Sequence, residues 1–71
     1  MSAHFYFDLD DGTETLVDEN GARATTSELA IQEALEVIAE IRAEDEIDLA
    51  RGWDLVIRDV EGSVVKRISI R

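Results

Sequence analysis

At 71 residues, with a formal charge of −10 and neither cysteine nor proline, the chain reads as one small acidic domain spanning 1–71. Lack of cysteine excludes disulfides, thiolate catalysis and thiolate metal sites together. A chain this short buries only about 60% of the surface its unfolded form exposes, so a lone core is marginal and self-association is a reasonable expectation. No basic–apolar leader opens the chain and no apolar run nears the roughly 18 residues of a membrane span; a soluble, cytoplasmic protein with no membrane contact is expected.

The charge is unevenly placed. Up to Ala50 there are 14 acids and two bases, a net −12; from Arg51 onward three acids face five bases, a net +2. Nucleic-acid binding needs cations to neutralise phosphates, and only Arg58, Lys66 and Arg67 near the end could form such a patch. The competing reading is that these cations pair across strands with Asp54 and neighbouring acids. Direct nucleic-acid binding is therefore not expected.

Residues His4–Asp10 alternate, with Phe5, Phe7 and Leu9 on one side and His4, Tyr6, Asp8 and Asp10 on the other, which predicts a half-buried strand over 4–10. Asp10-Asp11-Gly12 supplies a hairpin turn, a second strand covers 14–18, and Asp18-Glu19-Asn20-Gly21 closes it with another turn. A helix is predicted over 26–43, with Ala30, Ile31, Ala34, Leu35, Val37, Ile38 and Ile41 filling an apolar arc of roughly 160°. Thr25 with Glu28 has capping-box spacing, and Thr26 competes as the cap. Glu33, Glu36 and Glu40 lie opposite the apolar arc, where they either solvate the helix or form an acidic surface for a basic protein partner.

Continuing the helical wheel past Ala43 would set Asp45 at the centre of the apolar arc, so the helix ends or bends near 43–46, or runs on irregularly to 50. Ile47 and Leu49 could then tuck a loop over the sheet edge. Strands follow over 53–59 and 63–70, joined by Asp59-Val60-Glu61-Gly62. The fold class is α+β: a two-layer ββαββ domain, with one long helix on one face of an antiparallel four-stranded sheet. Leu55, Ile57, Ile68 and Ile70 are the expected companions of the phenylalanine face, while Tyr6, Val56 and Val65 sit among charges on the other.

Few residues invite chemistry. Asp8, Asp10, Asp11 and Glu14 crowd the first turn, but with Gly12 at the glycine position of a calcium loop, ligand positions 1 and 3 would be Phe7 and Leu9. His4 is the lone histidine, and Asp8 on its face lies about 13 Å away by strand rise. Ser2, Ser27, Ser63 and Ser69 have no nucleophile elbow, and no glycine-rich phosphate loop is present. No catalytic residue, metal site or cofactor is expected. Trp53 reads either as a core-edge residue or as an aromatic interface anchor.

The pattern as a whole resembles a family of small bacterial domains of unknown function. Its members read as an aromatic FxLxDG strand, a DxxG turn, an alanine-rich helix and an IxVxDxxG hairpin. Here the likeness rests on Phe5, Phe7, Asp8, Asp11-Gly12, Asp18, Gly21, Glu33-Ala34, Ile57, Asp59 and Gly62. The chain departs from it at Ala24-Thr25-Thr26, where the family carries Leu-Pro-Asp, and in the acidity of 44–48. The resemblance implies a compact ββαββ domain and transfers no activity and no site residue.

The functional expectation is a non-enzymatic interaction or regulatory module that pairs with itself through the helix-free sheet face or an edge strand. Tyr6, Trp53, Val56, Arg58, Val65 and Arg67 are the candidate interface. The alternative is an antitoxin-like or nucleic-acid-linked regulator that binds a basic protein through Glu33, Glu36 and Glu40.

Overall fold

The computed structural model describes residues 3–44 and 52–70. The elements run β1 (Ala3–Asp10), β2 (Thr15–Leu16), β3 (Ala22–Ala24), α1 (Ser27–Glu44), β4 (Asp54–Asp59) and β5 (Val64–Ser69). All sheet pairings are antiparallel: β4 lies between β1 and β5, and both β2 and β3 pair with the other edge of β1. The α+β layering and the strands flanking one helix among the described residues match the sequence expectation. The expected loop or turn carrying Ile47 and Leu49 lies outside the described residues.

The first hairpin corrects the four-strand count. The strand expected over 14–18 pairs only at Thr15–Leu16, opposite Asp10 and Leu9. After the Asp18–Gly21 turn the chain returns to the same edge as β3, with Ala22 opposite Phe5 and Ala24 opposite Ala3. Two short strands thus share one edge of β1, with a gap between them at Tyr6–Asp8. Alternation could not reveal β3, because a three-residue Ala-Arg-Ala strand is too short to show a period.

The helix begins one residue later than expected, and Thr26 is its cap: the Leu29 amide donates to Thr26 Oγ1 at 3.2 Å and the Ala30 amide to the Thr26 carbonyl at 3.2 Å. With Thr26 at the cap, the third helical position is Leu29 rather than Glu28, so the capping box proposed from Thr25 does not form. Ala30, Ala34 and Ile38 are buried, and Ile31, Val37 and Ile41 pack beside them. Leu35, placed by the wheel within the apolar arc, is instead 53% exposed.

Beneath the helix the core gathers Phe5, Ala24, Trp53, Leu55, Ile57 and Ile70, with Phe7, Leu9 and Ile68 against it. Small Ala30 and Ala34 let α1 lie close to the sheet, while aliphatic and aromatic side chains fill the space between the layers. Trp53 is 4% exposed and belongs to this core, so its reading as an interface anchor is corrected. It sits one residue before β4, where the Ile70 amide donates to its carbonyl at 2.9 Å and ties both ends of the β4–β5 hairpin together.

Candidate functional site

The helix-free face is a lattice of charges imposed by strand register. Tyr6 stands opposite Arg58, Asp8 opposite Val56, and Asp10 opposite Asp54. On the far side of β4, Val56 faces Arg67 and Asp54 faces Ser69. The carboxylates of Asp10 and Asp54 would repel as a direct cross-strand pair. Arg67 resolves this by donating to both: Nε to Asp54 at 3.0 Å, and a terminal guanidinium nitrogen to Asp10. Ser69 Oγ donates to the other Asp54 oxygen at 3.1 Å.

A second ion pair lies one row along. Arg58 donates from Nε and from a terminal nitrogen to the two oxygens of Asp8, a bidentate fork that suits the planar guanidinium. Asp8 is 5% exposed, and a carboxylate so buried needs such a partner. Arg58 also stacks over the Tyr6 ring with its guanidinium carbon 5.0 Å from the centroid, and Tyr6 tilts against His4 at 5.1 Å. The hydrogen bond from Arg58 to Asp8 is the main cause that raises the arginine's pKa, and hydrogen bonds to Asp54 and then Asp10 do the same for Arg67.

Asp18 fastens this face to the neighbouring turn. Alternate residues of an antiparallel strand direct their N–H and C=O groups to opposite edges, and Phe7 directs its amide toward the gap between β2 and β3. There Asp18 Oδ2 accepts the Phe7 amide at 3.1 Å, in place of a strand partner. Its Oδ1 accepts the amides of Asn20 at 3.1 Å and Gly21 at 3.0 Å, and its own amide donates to Asp8 Oδ1 at 2.9 Å. Burial pushes the Asp18 carboxyl up, but the amides of Gly21, Phe7 and Asn20 overcome this and leave its pKa lowered. Gly21 completes the turn at φ +68, where a Cβ would fall 2.6 Å from both the Phe5 carbonyl oxygen and His4 Nε2. His4 Nε2 lies 2.8 Å from the Asn20 carbonyl oxygen.

Hairpin acids that invited a metal reading hold turns. Asp10 Oδ1 accepts the Gly12 amide at 2.9 Å, chiefly for which its pKa is lowered, with Arg67 adding to the effect. Asp11 Oδ1 accepts the amides of Thr13 and Glu14. Asp59 Oδ1 accepts those of Glu61 and Ser63 in the last hairpin. The recurrent Asp-x-x-Gly is therefore turn chemistry, with the aspartate closing the loop and glycine taking positive φ.

The expected interface residues separate into three groups. Trp53 and Val56 are buried, which removes them from any free surface. Val56 lies beside the path of Arg67 across β4 to Asp10, and sequence alternation alone could not show that a charged side chain would cover it. Tyr6 and Arg58 are half-buried in the Asp8 cluster, whereas Arg67 stays about half exposed despite its bridges. Val65 is 38% exposed at a β-bulge, where the register shifts between Ile57 and Arg58 and leaves it as the extra residue. Arg58 and Arg67 are thus held by acids, as the cross-strand pairing alternative expected. Asp18 was missed as a positioning residue because nothing in a turn aspartate announces where its second oxygen will go.

A separate groove of about 330 Å³ runs between β3 and α1, lined by Arg23, Ala24, Thr25, Leu29, Gln32, Glu33 and Glu36. Glu40 lies exposed on the same helix beyond it. No helix among the described residues is long and apolar enough to cross a membrane. Residues 4–71 match a family described as a domain of unknown function (DUF6894). No curated protein and no solved structure matches the chain.

Proposed function

The chain belongs to the family of domains of unknown function DUF6894, and within it we propose a non-enzymatic interaction module that associates with itself through its sheet. The observation that carries this is the open edge at β5. Among the described residues that strand is bonded on one side only, to β4, and Val64 and Val65 on it are 59% and 38% exposed beside Val60 at 67%. An edge strand with exposed aliphatic residues offers backbone groups for another chain to pair with. The helix-free face supports the same choice of surface, because its arginines are occupied by acids of their own chain. Of the two expected surfaces, the sheet face and an edge strand, the edge is the better candidate. As part of the same proposal, the module works in the bacterial cytoplasm.

Light scattering at micromolar concentration tests the reading. A mass above the 7.9 kDa of one chain is expected, and a clean monomer across the concentration range would sink it.

A basic protein partner is the second reading, favoured by the groove between β3 and α1. Glu33 and Glu36 line one wall, and Leu29, 45% exposed, offers an apolar contact for the stem of a lysine or arginine. An antitoxin-like role would follow by analogy alone. Capture from host extract by wild type but not by a Glu33→Lys/Glu36→Lys variant is the expected result, and equal capture by both would remove the groove from consideration.

A further inference from the structure

We propose that β5 pairs antiparallel with β5 of a second copy about a two-fold axis at Ile68, joining two sheets into one. This rests on the self-association reading and names its seam. The register of β5 determines which backbone groups are available. The Ile70 amide bonds to the Trp53 carbonyl, and the same register continues through Leu55–Ile68 and Ile57–Lys66. Because N–H and C=O groups alternate sides, Lys66, Ile68 and Ile70 face β4, while Arg67 and Ser69 direct theirs outward.

A two-fold axis normal to the sheet pairs each β5 residue with one on the same face. Centring it on Lys66 or Arg67 would set like charges directly opposite each other. Centring it nearer the turn would require outward groups on Ser63, whose amide and carbonyl both bond to Asp59. An axis at Ile68 avoids both problems. Arg67 then exchanges backbone hydrogen bonds with Ser69 of the second copy, Ile68 meets its own symmetry mate, and the stem of Lys66 lies beside Ile70.

Helix orientation favours a second copy as the occupant. Glu33 and Glu36 line the groove beside β3, so at 100° per residue Ile31, Leu35 and Arg42 occupy the opposite flank, toward β5. The two-fold axis would bring the exposed Leu35 of each copy toward the seam and keep Glu33, Glu36 and Glu40 away from it. Two chains of charge −10 would therefore meet along a strand that carries Lys66 and Arg67 and no acid.

The test combines size measurement with residue-resolved amide exchange and isotope-filtered NMR on mixed-label protein. Wild type is expected to form a dimer, with contacts between Ile68 side chains of different copies. The Arg67 and Ser69 amides should exchange about tenfold or more slowly as concentration rises through the association range. Ser69→Pro removes an outward N–H, a position where an edge strand tolerates proline, and should give a folded monomer while Ser69→Ala remains dimeric. A dimer whose Arg67 and Ser69 amides stay unprotected, or one that survives in folded Ser69→Pro, overturns the seam and leaves self-association standing. A wild-type monomer at every concentration overturns both. Should Ser69→Pro fail to fold, the wild-type exchange pattern decides alone.

Discussion

Removing the Asp18 carboxylate should weaken the fold strongly for a change at a turn. Asp18→Ala deletes the acceptor for three amides, at 3.1 Å from Phe7, 3.1 Å from Asn20 and 3.0 Å from Gly21. The Asn20 amide is exposed, so water can replace the carboxylate there at small cost, while the Gly21 amide is part-buried. The Phe7 amide is part-buried in the gap between β2 and β3, and its loss carries most of the effect. A hydrogen bond to a charged group contributes about 1.5–3 kcal/mol, and an orphaned donor costs a similar amount, so roughly 2–3 kcal/mol is expected. Against the roughly 4–10 kcal/mol available to a domain of this length, that is a large fraction. The melting temperature should fall by about 10–20 °C.

Thermal and urea unfolding at neutral pH measure this directly, with Asp18→Asn as the companion variant. An asparagine presents one acceptor oxygen and an NH2 group that only donates, so it cannot serve both Phe7 and the turn amides, and it should recover less than half of the loss. The pH dependence supplies a second check. The folded-state pKa of Asp18 lies below its ordinary 3.8, so the stabilisation is fully present above that value and is lost as pH falls through the folded-state pKa. The gap between wild type and Asp18→Asn should accordingly narrow in acid. Asp18→Ala melting within about 3 °C of wild type would refute the clamp.

Thr26→Ala should cost about 1 kcal/mol through loss of the helix cap, whereas Thr25→Ala should stay within about 0.5 kcal/mol; chemical unfolding of both variants separates the two caps. Gly21→Ala should destabilise by about 2 kcal/mol or more in the same assay, since it adds left-handed strain to a clash with the Phe5 carbonyl. Arg67→Gln should leave Asp10 and Asp54 opposite each other without their bridge. Its stability deficit should be largest at low salt and shrink as ionic strength rises, and a deficit independent of salt would count against the pairing.

The layers of the fold were legible because they follow from periodicity. Alternation in β1 and β4 and the 3.6 spacing of Ala30, Ala34 and Ile38 each identify a buried face without reference to partners. What stayed hidden depends on contacts distant in sequence. Asp8 and Arg58 are 50 residues apart, and Arg67 and Asp10 are 57 apart, so their pairing appears only when register is known. The short strand β3 likewise appears only through its pairing with β1. Val56 and Trp53 mark the same boundary: both are apolar residues whose burial depends on what crosses over or packs beneath them.

The distribution of charge and the openness of β5 have one physical origin. An acidic chain must place carboxylates on most of its surface, and the sheet can bury part of one face only by pairing them with arginine. Arg58 and Arg67 do this over Asp8, Asp10 and Asp54, which closes that face with ion pairs and leaves it a poor apolar seam. At the β1 edge the Asp18 carboxylate fills the gap between β2 and β3, so that edge is also closed. Among the described residues the β5 edge has neither device: its bulge at Val65 interrupts pairing near the turn, but beyond it Arg67 and Ser69 continue a regular strand. A bulge commonly serves to protect an edge from association. Here it sits at one end, which would limit the proposed pairing to the half of β5 that contains Ile68 and so favour a single register over a sliding one.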